Sequence, residues 1–218
     1  MSNMAAAAKG KKKTRNRFVG AFFRWLVSNG LNFFYRIKVS GKQHVPETGP
    51  FILIGNHEHV FDPLVIQMHV KPWIYWVAKS ELYKIPLIGA ILRAIGTVPF
   101  QREEMDVAAL RKIVSIVKNG EVVGIFPQGR RVAPDERDEV LPKSATAHLA
   151  RRFQVPVLPV AIENGFHLFG KKRPHIIFGE PFMVDKDGDD MEIAIDMLKR
   201  VYRLMGETYQ PKRKEEQA

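Results

Sequence analysis

The chain has 218 residues, of which 45% are hydrophobic and 26% are charged. This composition supports one globular domain with a hydrophobic core, and it excludes a chain that is disordered throughout. The chain contains no cysteine, which excludes disulfides, thiolate metal sites and a cysteine nucleophile.

The net charge of +11 is concentrated at the start of the chain. Ten basic residues precede Glu47, the first acidic residue, whereas the remainder is close to neutral. Residues 1–13 are small, polar or basic, and we predict that they form a disordered basic tail. A basic terminal arm favours a polyanion as its partner, either nucleic acid or an anionic membrane surface.

Residues 14–36 combine aromatic, aliphatic and basic side chains, with Asn29-Gly30 as a predicted turn between two helical segments. Polar residues such as Arg24 and Asn32 interrupt the apolar run, so it is too short to span a membrane. We predict an amphipathic helical hairpin in the membrane interface, with packing on its own domain as the alternative. The aromatic residues are not interleaved for base stacking, which disfavours nucleic acid.

Short apolar runs alternate with amphipathic stretches from residue 37 onward. The predicted strands are 37–39, 51–55, 74–78, 97–100, 122–126, 157–162 and 176–178, and the predicted helices are 63–70, 86–95, 104–118, 144–153 and 190–207. This alternation predicts a single α/β domain over residues 37–210, with a mixed, largely parallel sheet of about seven strands flanked by helices. Residues 211–218 are predicted to form a charged tail.

His57 and Asp62 lie between a predicted buried strand and a helix that begins at Pro63, for which Asp62 is the predicted N-cap. In a loop that enters a helix, Asp62 can also fold back onto His57. That contact would place a general base and its orienting carboxylate at the carboxyl end of a strand. The alternative is a helix cap and an ordinary loop histidine. The pattern also loosely resembles a metallohydrolase loop, but Pro63 replaces the histidine such loops require, so we predict no metal.

Two later strand ends carry arginines, namely Arg102 in one loop and Arg130 and Arg131 in another. Guanidinium groups beside a His–Asp base suggest an anionic substrate, most simply a phosphate. Gly129 would let such a substrate approach the backbone closely. The alternative is arginines that are merely exposed on surface loops.

Together these segments resemble the four motifs of the glycerolipid acyltransferase family, whose best-known members are 1-acylglycerol-3-phosphate acyltransferases. The first motif is matched by residues 56–62, the second by 96–102, the third by 126–131 and the fourth by 155–162. The resemblance covers roughly residues 37–183. It is specific because four motifs occur in the family's order.

Two positions in the third motif depart from the family pattern. Gln128 stands where glutamate is usual, and Arg130 stands where threonine is usual. We expect these departures to make the pocket more positive than is typical, which would tighten the binding of a phosphate headgroup.

The resemblance implies transfer of a fatty acyl group from acyl-coenzyme A or acyl-carrier protein to the free hydroxyl of 1-acylglycerol-3-phosphate. The product would be phosphatidic acid, an intermediate of phospholipid biosynthesis. The implied site residues are His57 and Asp62 as catalytic groups, Arg102, Gly129, Arg130, Arg131 and Lys143 as phosphate-binding groups, and Asn56, Pro127 and Gln128 as supporting groups.

No cofactor is expected beyond the thioester co-substrate, and the expected partners are an anionic membrane surface, the lysophospholipid and the donor. The expected location is the cytoplasmic face of the membrane, as a peripheral or monotopic protein. Two alternatives stay open. One is another acceptor, either a different lysolipid or glycerol-3-phosphate, and the other is a non-catalytic adaptor for membranes or nucleic acid.

Overall fold

The structure is a computed structural model that describes residues 36–101, 106–165 and 173–212. The predicted basic tail and the predicted hairpin before residue 36 lie outside these ranges, as do Arg102 and residues 213–218. Within the described ranges, no helix is long and apolar enough to cross a membrane.

Seven strands in the described residues form one sheet. They are β1 (Lys38–Ser40), β2 (Phe51–Gly55), β3 (Ile74–Lys79), β4 (Val98–Phe100), β5 (Val122–Ile125), β6 (Val157–Glu163) and β7 (His175–Phe178). Their order across the sheet is β1-β7-β6-β2-β5-β3-β4. Every neighbouring pair is parallel except β6 and β7, which are antiparallel. The prediction of an α/β domain with a mixed, largely parallel sheet is confirmed.

The α-helices of the described chain are α1 (Asp62–His69), α2 (Pro86–Ile95), α3 (Val107–Lys118), α4 (Ala145–Phe153) and α5 (Asp190–Arg203). The sequence predicts all five, and the structure moves their ends by a few residues. The predicted end of α5 at Glu207 is wrong because Gly206 has a φ of +73° and the backbone N–H of Glu207 donates to the Tyr202 carbonyl. This turn closes the helix. At its start, Asp189 accepts hydrogen bonds from two backbone N–H groups, as an N-cap should.

The core lies on both faces of the sheet, with β2 at its centre. All five residues of β2 are buried. Ile52 and Ile54 belong to the apolar cluster that contains α3, α4 and α5, whereas Phe51 and Leu53 belong to the cluster that contains α1. Successive side chains of a strand point to opposite faces, so a strand covered on both sides reads as a continuous apolar run.

The directions of the strands determine where the loops that carry the candidate site residues meet. β2, β3, β4, β5 and β6 all end at one edge of the sheet, and β1 and β7 begin there. We call this edge the carboxyl edge. The loops that follow β2 and β5 start there on neighbouring strands, because β2 pairs directly with β5. Open α/β sheets bind their ligands at this position.

Candidate active site

Asn56 fixes the loop that leaves β2. Its side chain is buried, its Oδ1 accepts a hydrogen bond from the backbone N–H of Ile162 at 2.8 Å, and its Nδ2 donates to the Ile162 carbonyl at 2.9 Å. The amide thus continues the pairing of β2 with β6 by one residue beyond Gly55. The next residue, His57, leaves the sheet from a rigid point.

The His57 imidazole is hydrogen-bonded to the Asp62 carboxylate. His57 Nδ1 lies 2.8 Å from Asp62 Oδ2. Because a carboxylate only accepts hydrogen bonds, Nδ1 carries the proton and Nε2 is the basic nitrogen of the neutral ring. No described residue forms a hydrogen bond with Nε2. The contact expected from the sequence is therefore present, and the imidazole has the tautomer that a general base needs.

Asp62 is held from several directions. Its carboxyl side chain is 1% exposed, and Oδ2 also accepts hydrogen bonds from the backbone N–H groups of Glu58 and His59, each at 2.8 Å. The predicted N-cap role of Asp62 is wrong, because Phe61 stands at the N-cap and Asp62 is the first residue of α1. Its carboxylate accepts from the loop that precedes the helix instead of from the helix itself. The loop is thus folded around the anion that orients His57.

Two aromatic rings support the His57 ring on one face. Phe126 is stacked on His57 with ring centroids 4.1 Å apart and an interplanar angle of 10°. Trp76 is in turn stacked on Phe126, with centroids 5.0 Å apart. Gly124 makes room for this stack, since a Cβ there would lie 2.5 Å from the Trp76 ring. Sequence reasoning missed Phe126 and Trp76 as site residues, because stacking between segments that are distant along the chain leaves no local pattern.

The third-motif loop lies directly against His57. The backbone N–H of Val132 donates to the His57 carbonyl at 2.8 Å. Gly129 has a φ of +69°, a conformation that favours glycine, and its N–H donates to the Phe126 carbonyl at 2.9 Å. Arg131 precedes Val132 and so lies beside the catalytic loop. Its side chain is exposed and forms no ion pair with another described residue.

Arg130 is placed differently from Arg131. Its guanidinium donates to Glu136 Oε2 at 3.0 Å and to the Arg131 carbonyl at 3.2 Å. An exposed pair of this kind adds little stability, but it occupies part of the guanidinium. The expectation that Arg130 adds positive charge to the pocket is therefore only partly met, because a neighbouring carboxylate offsets that charge.

Gln128 faces the protein interior. It is buried, its Nε2 donates to the carbonyls of Arg137 and Val140 at 3.3 and 3.2 Å, and its Oε1 accepts a hydrogen bond from the Tyr202 hydroxyl. This side chain ties the third-motif loop to α5, and its expected effect on the charge of the pocket stays a prediction. A glutamate there would lack the two N–H donors that these carbonyls use.

Pro127 and Lys143 join the third-motif loop to the segment before α4. The Pro127 carbonyl accepts a hydrogen bond from the backbone N–H of Lys143 at 2.8 Å. The Lys143 side chain lies beside Gly129, where an added Cβ would be 3.7 Å from Lys143 Cγ. The structure therefore brings Gly129 and Lys143 together in a loop that also carries Arg131 and is hydrogen-bonded to the His57 backbone through Val132. Arg102 lies outside the described residues, and only the end of β4 before it is described.

Glu58 is a titratable group of the site that sequence reasoning missed. Burial raises the pKa of Glu58, a hydrogen bond from Asn56 opposes that shift, and the negative charges of Asp62 and Glu207 add to it. A carboxylate directly after a candidate base would have been a sequence signal. In the described residues, no group of histidines and carboxylates has the arrangement of a metal site.

The fold and this site define an α/β acyltransferase. The model of the acyltransferase family matches residues 36–163, which is more than half of the chain, so the chain belongs to this family. The family resemblance seen in the four motifs is confirmed. The assignment as an enzyme is also confirmed at the level of this class, which argues against the non-catalytic adaptor.

Several similar proteins carry the name 1-acyl-sn-glycerol-3-phosphate acyltransferase. The protein from Bacillus subtilis is 30% identical over 149 residues, which cover 66% of this chain and 73% of the relative. The protein from Borreliella burgdorferi is 28% identical, over 68% of this chain and 58% of its own length. The crystal structure of the 1-acyl-sn-glycerophosphate acyltransferase PlsC from Thermotoga maritima is similar with a TM-score of 0.63. It is 27% identical and covers 87% of this chain and 88% of its own.

Proposed function

We propose that this protein transfers a fatty acyl group from an acyl thioester to the free hydroxyl of 1-acylglycerol-3-phosphate, giving phosphatidic acid. The observation that carries the proposal is the His57–Asp62 pair at the end of β2, whose Nε2 no described residue occupies. The names of the relatives support the acceptor, and the cationic groups beside His57 are the chemistry that a phosphate requires.

His57 Nε2 takes the proton of the acceptor hydroxyl as its oxygen attacks the thioester carbonyl. The tetrahedral intermediate collapses by breaking the carbon–sulfur bond, and the thiolate that leaves takes the proton back from Nε2. Asp62 stabilises the imidazolium that exists between these two transfers. The scheme needs no enzyme nucleophile, which accords with a chain that lacks cysteine.

The acceptor phosphate binds to Arg131, with Lys143 and the backbone at Gly129 beside it. The side chains of Arg131 and Lys143 make no ion pair with described residues, so their charges are available to an anion. Arg130 contributes less because Glu136 holds its guanidinium. Arg102 is proposed as a further phosphate ligand from its motif alone.

The donor is acyl-coenzyme A or acyl-carrier protein, and no other cofactor takes part. Because the acceptor and product are lipids, we place the enzyme at the cytoplasmic face of a membrane as a peripheral or monotopic protein. The basic arm before residue 36 would attract it to anionic lipid, at about 1 kcal/mol for each basic residue near the surface.

An acceptor screen tests the reaction. Purified full-length protein is incubated with either thioester donor and with 1-acylglycerol-3-phosphate, glycerol-3-phosphate or lysophosphatidylcholine, and the products are identified by mass spectrometry. We expect phosphatidic acid as the main product. A preference for glycerol-3-phosphate or for a lysolipid without a terminal phosphate would overturn the acceptor assignment.

Replacement of the base tests the mechanism. We expect His57→Gln to lower kcat by about a thousandfold, since general-base catalysis contributes roughly 10²–10⁴-fold. His175→Gln is the matched control, because His175 also pairs with a carboxylate but has its second nitrogen bound to Ser40. An active His57→Gln variant would disprove the role of His57 without disproving the reaction.

A further inference from the structure

Exposed apolar side chains are concentrated at the carboxyl edge. Eight large apolar side chains of the described residues are exposed, and six of them belong to segments that follow the ends of β2, β3 and β4. These six are Val60, Leu82, Ile85, Leu87, Ile88 and Val107. Apolar residues scattered over a surface need no explanation, but a concentration at one edge marks an interaction site.

Four of these side chains, Leu82, Ile85, Leu87 and Ile88, form what we call the apolar patch. It spans the short 3-10 helix after β3 and the start of α2. Leu87 is 74% exposed, and Gly89 is the one fully buried residue of α2. A surface helix normally presents polar residues to water and buries its apolar stripe. Here the apolar residues of a helix face solvent.

The patch is held in place by packing. A Cβ at Gly89 would lie 2.3 Å from the Tyr83 carbonyl oxygen, so the 3-10 helix and α2 touch backbone to backbone. The Tyr83 hydroxyl is hydrogen-bonded to Thr97 Oγ1, and Thr97 Oγ1 also donates to the Leu92 carbonyl at 3.0 Å. The apolar residues therefore project from a fixed surface and do not result from a frayed segment.

Basic residues surround the patch. Lys79, Lys84 and Arg93 are exposed, and Glu81 is the single acidic residue between residues 79 and 95. Glu81 is paired with Lys79 at 3.0 Å, whereas Lys84 forms no ion pair with a described residue. An apolar surface with a net positive margin is complementary to a bilayer that carries anionic headgroups.

The position of the patch relates it to the site. Its segment starts where β3 ends, and β3 is separated from β2 by β5 alone. β1 is the outermost strand on the other side of the sheet, and it also begins at the carboxyl edge. The patch therefore lies on the same side of the domain as the His57 loop.

We propose that the apolar patch is a second membrane-contacting surface, separate from the N-terminal arm, which docks the carboxyl edge onto an anionic phospholipid bilayer. The reason for such docking rests on the proposed function, since a lipid acceptor has to reach His57. The exposure, packing and charge of the patch do not depend on that function. Contact of the patch with a second copy of the chain, or with residues 14–35, is the competing outcome.

The absence of cysteine allows a direct test in the full-length chain. Leu87→Cys is labelled with an environment-sensitive fluorophore and mixed with vesicles of phosphatidylcholine and phosphatidylglycerol. We expect a blue shift of the emission and quenching by brominated lipid. Met183→Cys is the matched control, because Met183 is also exposed but adjoins Phe182, which pairs with the start of β6 at the other edge. A Leu87 probe that stays in water while the protein is vesicle-bound would overturn the proposal.

Paired substitutions measure the contribution to binding. We expect Leu87→Ser with Ile88→Ser to lower vesicle partitioning about tenfold, since two apolar side chains no longer leave water. Met183→Ser with Met191→Ser should leave it unchanged. Lys84→Glu should weaken binding to anionic vesicles but not to neutral ones. Lys118→Glu, at the far end of α3, is the control and should not weaken either.

Other readouts separate the alternatives. The variant with Leu87→Ser and Ile88→Ser could keep its vesicle partitioning but lose dimers, which would overturn the proposal and show that the patch contacts a second copy of the chain. Unchanged partitioning with faster proteolysis of residues 14–35 would overturn it and show that the patch contacts those residues. Acyl transfer to a short-chain acceptor below its critical micelle concentration should be unaffected by the Leu87 and Ile88 changes. Failure of the wild type in that assay would contradict the proposed function and leave vesicle docking standing.

Discussion

Two histidine–carboxylate pairs lie at the carboxyl edge and differ in what surrounds them. In the first, His57 Nδ1 is 2.8 Å from an Asp62 carboxylate that is 1% exposed. In the second, His175 Nδ1 is 3.2 Å from a Glu163 carboxylate that is 40% exposed. The Nε2 of His175 is hydrogen-bonded to Ser40 Oγ at 2.8 Å, whereas no described residue occupies the Nε2 of His57.

The difference shows what makes such a pair available for catalysis. Ser40, His175 and Glu163 form a hydrogen-bonded chain of the residue types found in hydrolase triads. However, Ser40 belongs to the outermost strand β1, and its hydrogen bond ties that strand to β7. The first pair has a buried, fixed carboxylate and a nitrogen to which no described residue is hydrogen-bonded. Availability of the second nitrogen, and not the presence of a carboxylate, distinguishes the two.

The largest effect is expected from Asp62→Asn. The amide oxygen can still accept the hydrogen bonds that reach Asp62 Oδ2, but the side chain is neutral and no longer stabilises the imidazolium, so kcat should fall roughly a thousandfold. Steady-state kinetics with the acyl donor saturating would measure it. Glu163→Gln makes the same chemical change in the second pair and should alter kcat less than about twofold. Equal losses in the two variants would show that the pairs are not functionally different.

The same distinction between available and occupied groups applies to the arginines. Arg131→Ala should raise the KM for the phosphate acceptor about 30-fold, because a charge-assisted hydrogen bond is lost. Arg130→Ala should raise it about threefold, since Glu136 already holds that guanidinium. Arg111→Ala, an exposed arginine on α3, is the control. A larger effect at Arg130 than at Arg131 would reverse the proposed assignment.

A smaller effect should come from the stack of Phe126 on His57, which has no counterpart at His175 among the described residues. Phe126→Leu removes the face against which the imidazole is oriented, and we expect kcat to fall about fivefold with little change in KM. Tm measured on the same samples separates this effect from general destabilisation. A purely structural role would lower Tm and leave the kcat of the folded fraction unchanged.

The sequence predicts the strands and helices well, because β2 is a continuous apolar run and α5 has a clear helical period. It also predicts that Asp62 folds back onto His57. It does not predict that Gln128 faces the interior, since its partners, the Val140 carbonyl and Tyr202, are distant along the chain. The exposure of the α2 side chains is likewise hidden, because an apolar helix normally predicts burial.

The smallest effect concerns His69, a histidine with no carboxylate partner in the described part of the chain. It is the last residue of α1, its Nε2 is buried without a partner among the described residues, and burial, with the nearby charge of Lys42, lowers the pKa of His69 to about 4. In the unfolded chain the His69 imidazole binds a proton near its ordinary pKa of 6.5, whereas in the folded chain it binds one only at lower pH. The stability that the neutral ring contributes is therefore fully present above pH 6.5 and is lost as the pH falls toward 4.

Urea unfolding at about pH 7 and about pH 5 should show that His69→Gln reduces the acid destabilisation by on the order of 1 kcal/mol. An identical pH dependence in wild type and variant would mean that the pKa of His69 is the same in the folded and unfolded chains, and would place water rather than apolar contacts around its ring.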